Sequence, residues 1–200
     1  MPRLPFVEMQ TLKPILEDPS PYNPDWLSDH NIHRVMGNHP EALRVFWPRI
    51  GTWLRGKSSL DVRFRELAII QASYITASGY EFAHHVEYAR SVGVTEEDVF
   101  AIIEESKGNP SHLSRLDSIV IRVARTLTTQ IEIDDADWAL LKDELGTECL
   151  IELVLAVSYY NHIIRLVTAL QIGIESEEGE EKLKPHLEKF APPKEIGRWR

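Results

Sequence analysis

The sequence predicts an all-α, single-domain helical bundle of about seven to eight helices with no sheet. Three observations carry that reading. Apolar residues recur at three- and four-residue steps through most of the chain, and no stretch alternates with period two over more than a few residues. Helix start and stop signals recur at helix-length intervals. With 200 residues, 43% of them hydrophobic, the chain is long enough to bury one sizeable core.

Six of the twelve prolines fall within the first 24 residues, so residues 1–27 read as an extended arm that must lie against something. From Ser28 onward the pattern turns helical through Ile32, Val35 and Met36. His39 and Pro40 then restart a helix that carries Phe46, Ile50, Trp53 and Leu54 and stops at Gly56. Residues 61–77 form a helix through Phe64, Leu67, Ala68, Ile70 and Ile75, and after Ser78, Gly79 and Tyr80 a second runs from about Glu81 to Ser91, before Gly93. Thr95 with Asp98 has the form of a capping box, and Val94 with Val99 that of a hydrophobic staple, for a helix to about Glu105. Ser114 and Asp117 open the next helix, and Asp134, Asp137 and an Ile133/Trp138 staple open another that stops at Gly146. Thr147 begins the long apolar helix that ends near Gly173, completing a helical domain over residues 28–174. Residues 175–200 read as a charged, irregular extension with one short helix, whose Phe190, Ile196 and Trp199 are suited to dock on a neighbouring copy.

Net charge is −9, with 31 acidic against 22 basic residues, which disfavours a phosphate-tracking surface and so a nucleic-acid partner. Leu150 to Ile172 is long enough to cross a bilayer, but Asn161, His162 and Arg165 near its middle make it a buried core helix, and no membrane association is expected. The first 18 residues hold no apolar run of the signal-peptide kind, so a cytoplasmic location is expected. Cys149 is the single cysteine, leaving no intrachain disulfide and no dithiol centre.

Glu81 and His85 stand four apart, on one face of a helix, where a carboxyl beside an imidazole favours the imidazolium and fixes its tautomer. That is the requirement for a proton donor near neutral pH. Taken alone, such a pair is common on solvent-facing helices, and Glu66, inside an apolar stretch, reads equally as an acid turned to water beside Arg63 or as one buried for a purpose.

The run Arg65-Glu66-Leu67-Ala68-Ile69-Ile70, then Tyr80-Glu81, His85, Ala89-Arg90, Gly93 and Thr95-Glu96-Glu97-Asp98-Val99, resembles the core signature of the carboxymuconolactone decarboxylase family, within the wider alkyl hydroperoxidase D-like superfamily. The resemblance extends over about residues 38–174, including His39-Pro40, Glu152-Leu153, Tyr159 or Tyr160, Arg165 and Ala169. It implies an all-α domain of the alkyl hydroperoxidase D-like type, assembled as a homo-oligomer, a trimer or hexamer. In the peroxidase branch the pattern is Cys-x-x-Cys-x-x-x-His, preceded by a relay glutamate. Here Ser78 and Glu81 occupy the cysteine positions, while His85 and Glu66 match the histidine and the upstream glutamate. A thiol peroxidase needs a thiolate and a resolving sulfur, so that chemistry is lost and the acid/base partners remain.

The decarboxylase branch, as the resemblance implies, removes a carboxylate from a γ-lactone without a cofactor, leaving a dienolate to be stabilised and protonated. In that reading His85 donates the proton, Glu81 orients it and Glu66 relays protons, with Tyr80 and Ser78 beside the substrate. On the last long helix, Ser158, Asn161, His162, Arg165 and Thr168 form a narrow polar strip. It faces either water, another subunit or the pocket; in the last case Arg165, with His162, grips a small anionic substrate. Arg34 and Arg63 are further candidates for that task.

No metal site is expected: Glu81-Phe82-Ala83-His84 is a lone Glu-x-x-His element, and His84 and His85 point about 100° apart on a helix. No glycine-rich phosphate loop or nucleophile elbow occurs, so no cofactor is expected. The function expected is a cofactor-independent lyase or isomerase acting on a small carboxylated or lactone substrate. The alternatives are an oligomeric, non-catalytic metabolite- or partner-binding protein and, third, a peroxidase depending on Cys149.

Overall fold

The computed structural model describes residues 2–16, 30–175 and 178–200; the helix start expected at Ser28 and arm residues 17–27 lie outside them. Among the described residues there are nine helices and no strand: α1 (Met9–Leu16), α2 (Asn31–Met36), α3 (Pro40–Gly56), α4 (Val62–Ile75), α5 (Gly79–Arg90), α6 (Glu96–Ser106), α7 (Arg115–Thr129), α8 (Asp135–Ala169) and α9 (Glu178–Lys189).

The predicted caps account for most boundaries. His39 accepts the Ala42 N–H with Pro40 in the first turn of α3. Thr95 and Asp98 form both halves of a capping box at α6, with Val94 and Val99 buried together beneath it. Ser114 and Asp134 cap α7 and α8 through their side-chain oxygens. The two helices expected on either side of Gly146 run as one element broken there, where the glycine takes φ 76° and ψ 167°, a conformation a side chain would strain.

α4 is the centre of the molecule. It packs against α5, α7 and α8, and every residue from Arg65 to Tyr74 is buried. A helix covered all round must satisfy its polar side chains inside the protein. Arg65, Glu66, Gln71 and Ser73 are therefore placed there at an energetic cost that packing alone does not require. Beside it, half-buried Arg63 clips three helices together, donating to Asp98 at 2.9 Å and to Asp117 at 3.3 Å. α8 is long and apolar enough by length and composition to cross a membrane, yet 61% of its most apolar window is buried inside the fold, as a core helix requires.

Two expectations are corrected. The arm is not wholly extended: α1 forms within it despite Pro14, because Leu12 becomes fully buried against α2, α3 and α8. Gly37 makes that approach possible, since a Cβ there would lie 2.3 Å from Leu12 Cδ2. Backbone bonds from Val7 N–H to the Arg34 carbonyl and from Arg3 N–H to the Leu170 carbonyl fasten the arm. The aromatic end of the tail, expected to dock on another copy, docks on its own α5: Trp199 stacks on Phe82 with ring centroids 4.7 Å apart, and Phe190 meets Phe82 edge-on. The Ala77 carbonyl accepts the Arg200 N–H at 2.7 Å, and the Gly79 N–H donates to the Arg200 carbonyl at 3.0 Å, so the last residue closes the turn before α5.

Candidate active site

α4 and α5 form an antiparallel pair whose facing sides bring Glu66 against His85. Glu66 is fully buried, and the His85 Nδ1–H donates to its Oε2 at 2.6 Å. The Arg65 Nε–H donates to Glu66 Oε1 at 2.9 Å, and Arg65 itself is held by the Leu54 carbonyl at 2.7 Å. The other imidazole nitrogen, His85 Nε2, lies 3.5 Å from Glu81 Oε2. The Tyr160 ring packs edge-on against the imidazole, centroids 4.6 Å apart, and fixes its plane.

The electrostatics follow from that enclosure. Burial alone would raise the Glu66 pKa, but the His85 imidazolium, Arg65 and Arg55 overcome it and hold the carboxylate below its ordinary value. Burial would likewise lower that of His85, but the Glu66 charge and hydrogen bond, with Glu81, hold it above the ordinary histidine value. Both shifts favour an imidazolium paired with a carboxylate through Nδ1.

His85 and Glu81 line a cavity of about 280 Å³ with His30, Arg55, Tyr80, His84, Tyr88, Tyr159 and Tyr160 among the walls. Glu66 does not line it. This inverts the roles expected for the two acids: Glu66, on Nδ1, orients the ring from inside the core, while Glu81 stands on the cavity side beside Nε2. The reason is packing, since α4 is sealed on all sides and α5 is the helix that borders the opening.

The cavity's cation is Arg55, at the end of α3. Its guanidinium donates to the Tyr160 hydroxyl at 3.0 Å and lies 5.5 Å from the Tyr88 ring centroid. Burial lowers its basicity, but Tyr160 and Glu66 raise it further, so it stays charged. Burial pushes the Tyr160 phenol up to about 12, which keeps it a neutral hydrogen-bonding group.

Arg165 and His162, expected to bind substrate, are exposed and do not line this cavity. α8 turns Tyr159, Tyr160 and Ile163 toward it, and Arg165 falls about 200° around the helix from Ile163. The Arg165 guanidinium instead donates to the Asn161 carbonyl and side-chain oxygen, and Asn161 donates to Thr128 on α7. The other expected residues divide. Tyr80 lines the cavity, while Ser78 is fully buried at the start of α5 and does not. Arg34 pairs with the arm through the Val7 carbonyl, and Arg63 with Asp98 and Asp117, so neither serves the site.

Arg55, His30, Tyr88 and the rim acid Glu175 were not legible as site residues. Arg55 carried one signal, a cation in the last turn of a helix, which is ordinarily a dipole contact. At the rim, the Tyr80 O–H donates to Glu175 Oε1 at 3.0 Å, the Asn31 N–H donates to the same oxygen, and His84 Nε2 lies 2.8 Å from Oε2. Burial would raise the Glu175 pKa, but contact and charge from His84 bring it to about 2.

Residues 40–106 match the carboxymuconolactone decarboxylase family. Among solved structures, a peroxidase-related, uncharacterized protein with an alkylhydroperoxidase AhpD core from Ralstonia eutropha JMP134 is 14% identical, with a TM-score of 0.68 over 88% of this chain and 93% of that one. A protein of unknown function from Agrobacterium tumefaciens, suggested to be the antioxidant defence protein AhpD, is 17% identical, with a TM-score of 0.63 over 71% of this chain and 96% of that one. No curated protein matches the sequence significantly.

Proposed function

From the match of residues 40–106 to the carboxymuconolactone decarboxylase family and the AhpD-like fold, we propose that this chain is an acid/base lyase or isomerase acting on a small carboxylated or lactone substrate. The observation that carries the reading is the fully buried 2.6 Å contact between Glu66 and His85 Nδ1, which leaves Nε2 as the working nitrogen beside cavity-lining Glu81. For a carboxylated, unsaturated γ-lactone, the bond to the carboxylate breaks, carbon dioxide leaves, and the electron pair spreads through the ring alkene into the lactone carbonyl as a dienolate. Arg55 and the Tyr160 hydroxyl supply charge and hydrogen bonding for that anion. The proton on His85 Nε2 then passes to carbon, and a proton from solvent returns to the imidazole by way of Glu81, 3.5 Å from Nε2.

A thiol-peroxidase reading, the third alternative, finds little support in the one cysteine. Burial, with Glu152 and Glu148, pushes the Cys149 thiol up, away from the thiolate a peroxidase needs. A homo-oligomer, trimer or hexamer, is part of the same proposal; exposed Trp138, Ile151 and Leu155 on α8 favour burial against a second copy, to be checked by size-exclusion with light scattering.

The test is turnover of carboxylated γ-lactones, read by carbon dioxide release and loss of lactone absorbance. His85→Gln should lower kcat by about 10²–10⁴-fold with its circular dichroism unchanged, as loss of a general acid does. Binding without any turnover by the wild-type chain would favour a non-catalytic metabolite-binding role. Hydroperoxide reduction abolished in Cys149→Ser would favour the peroxidase reading.

A further inference from the structure

α5 presents two adjacent histidines to two different environments. His85 turns inward to Glu66; His84, about 100° around the helix, turns to the mouth of the cavity. There it meets His30, which immediately precedes α2, and Glu175, which follows α8. The three ligating atoms, one from each of three segments distant in sequence, lie within 4.8 Å of one another.

Each side chain is already oriented by a contact outside the cluster. His84 Nδ1 lies 2.8 Å from the Tyr80 carbonyl, and because a carbonyl only accepts, the proton sits on Nδ1. Nε2 is thereby the atom turned to the cluster. Glu175 Oε1 accepts from Tyr80 O–H and Asn31 N–H, both at 3.0 Å, so Oε2 is the oxygen turned to the cluster. His30 is stacked on His33, centroids 5.8 Å apart, and lies tilted against the His84 ring at 5.4 Å. Supporting partners of this kind are what fix ligands around protein-bound cations.

The pairing of His84 and Glu175 is the informative feature. Nε2 and Oε2 approach to 2.8 Å, yet among the described residues Oε2 receives no hydrogen bond of acceptable alignment, His84 included. The two atoms are placed side by side rather than donor to acceptor. At metal–ligand distances of about 2.1 Å, atoms 2.8 Å apart subtend about 85°, the angle between neighbouring ligands in a five- or six-coordinate shell. The widest pair needs to draw in by only about 1 Å for all three to reach one ion at those distances.

We propose that His30, His84 and Glu175 bind a first-row divalent cation of the Zn²⁺ class at the mouth of the cavity. Two imidazole nitrogens and one carboxylate oxygen form a donor set that suits zinc and its neighbours rather than calcium or magnesium. Three protein ligands leave coordination positions open toward the cavity, where a carboxylate or carbonyl oxygen of its occupant would bind. The inference stands apart from the acid/base reading, because the site is read by metal binding without turnover, and it runs against the sequence expectation of no metal.

The experiment is calorimetric titration of the chelator-stripped full chain with Zn²⁺, with Co²⁺ absorption as a second probe. The expected result is one Zn²⁺ per chain and visible Co²⁺ bands. His84→Ala and His30→Ala should each weaken binding by about 100-fold or more, beyond the range usual for a supporting contact. Glu175→Gln, whose amide oxygen still accepts from Tyr80 and Asn31, should weaken it while circular dichroism stays unchanged. Cys149→Ser and His186→Ala should bind as the wild type does. No stoichiometric Zn²⁺ binding, equal affinity in the three ligand variants, or binding lost with Cys149 or His186 would overturn the proposal.

Discussion

The inner and outer ends of the cavity are built in opposite ways. At the inner end, Glu66 and His85 come from one helical pair, 19 residues apart, and both are sealed from solvent. At the mouth, His30, His84 and Glu175 come from segments up to 145 residues apart and each is partly exposed. The first group is positioned by the core itself, since α4 is covered on every side and its acid has nowhere to go but to a partner. The second depends on where α2 and the end of α8 settle, with Tyr80 linking two of its members through its hydroxyl to Glu175 and its carbonyl to His84. The difference teaches that the inner pair should be costly to break and the outer cluster cheap to vary.

The sharpest break comes at the inner end. Glu66→Ala leaves the His85 imidazolium and the Arg65 guanidinium buried without their carboxylate, and should cost about 3–5 kcal/mol of stability in denaturant titrations. Glu66→Gln keeps the volume and still removes the charge, so it should lower turnover by about 10²-fold with a smaller stability loss, separating orientation from folding.

The same pair sets a pH signature. The Glu66 pKa is depressed in the folded chain, so its contribution is present above its ordinary value of 4.5 and is lost as pH falls through the folded value. The His85 pKa is raised, so its contribution is full below its ordinary value of 6.5 and is lost as pH rises through the folded value. Their joint contribution is therefore greatest between those two ordinary values. The melting temperature should fall on the alkaline side in the wild type, and His85→Gln should flatten that limb; an unchanged slope would contradict the imidazolium assignment.

A smaller effect is expected at the tail, which covers α5 from the side opposite the cavity mouth. Trp199 lies half-buried on Phe82 and its indole N–H donates to the Leu187 and Phe190 carbonyls. Trp199→Ala should cost about 2 kcal/mol, below the usual 3–5 for a core aromatic because the ring is only partly covered, and should speed proteolysis after residue 190.

What was legible in the sequence follows from the same contrast. Helix identity and the caps at His39, Thr95, Ser114 and Asp134 were readable because they are set by residues three or four apart. Glu66, Glu81 and His85 were brought together in the sequence by the family resemblance, since spacing alone reads Glu81 and His85 as an ordinary surface pair, and their division of labour was hidden because nothing local says which helix is sealed. α1 was hidden behind the prolines: its stability comes from Leu12 reaching the core past Gly37, a contact no local pattern contains. Arg55 and the mouth cluster were hidden for the same reason, since their partners Tyr160 and Glu175 lie more than 90 residues away.

The weakest expected effect is the most discriminating for the cation of the site. Arg165 was the natural choice from the sequence because it interrupts the most apolar helix, but periodicity tells only that a residue leaves the apolar face, not which opening it enters. Its guanidinium rests on Asn161 at an exposed surface, so Arg165→Ala should change stability by no more than about 0.5 kcal/mol and leave KM within about twofold. Arg55→Ala removes a cation from the cavity wall and the donor to Tyr160, and should raise KM for an anionic substrate by about 10-fold or more, the effect of losing one charged hydrogen bond. A reversal, with KM responding to Arg165 and not to Arg55, would mean that the substrate sits on the α8 surface and that the cavity holding His85 is not where the chemistry takes place.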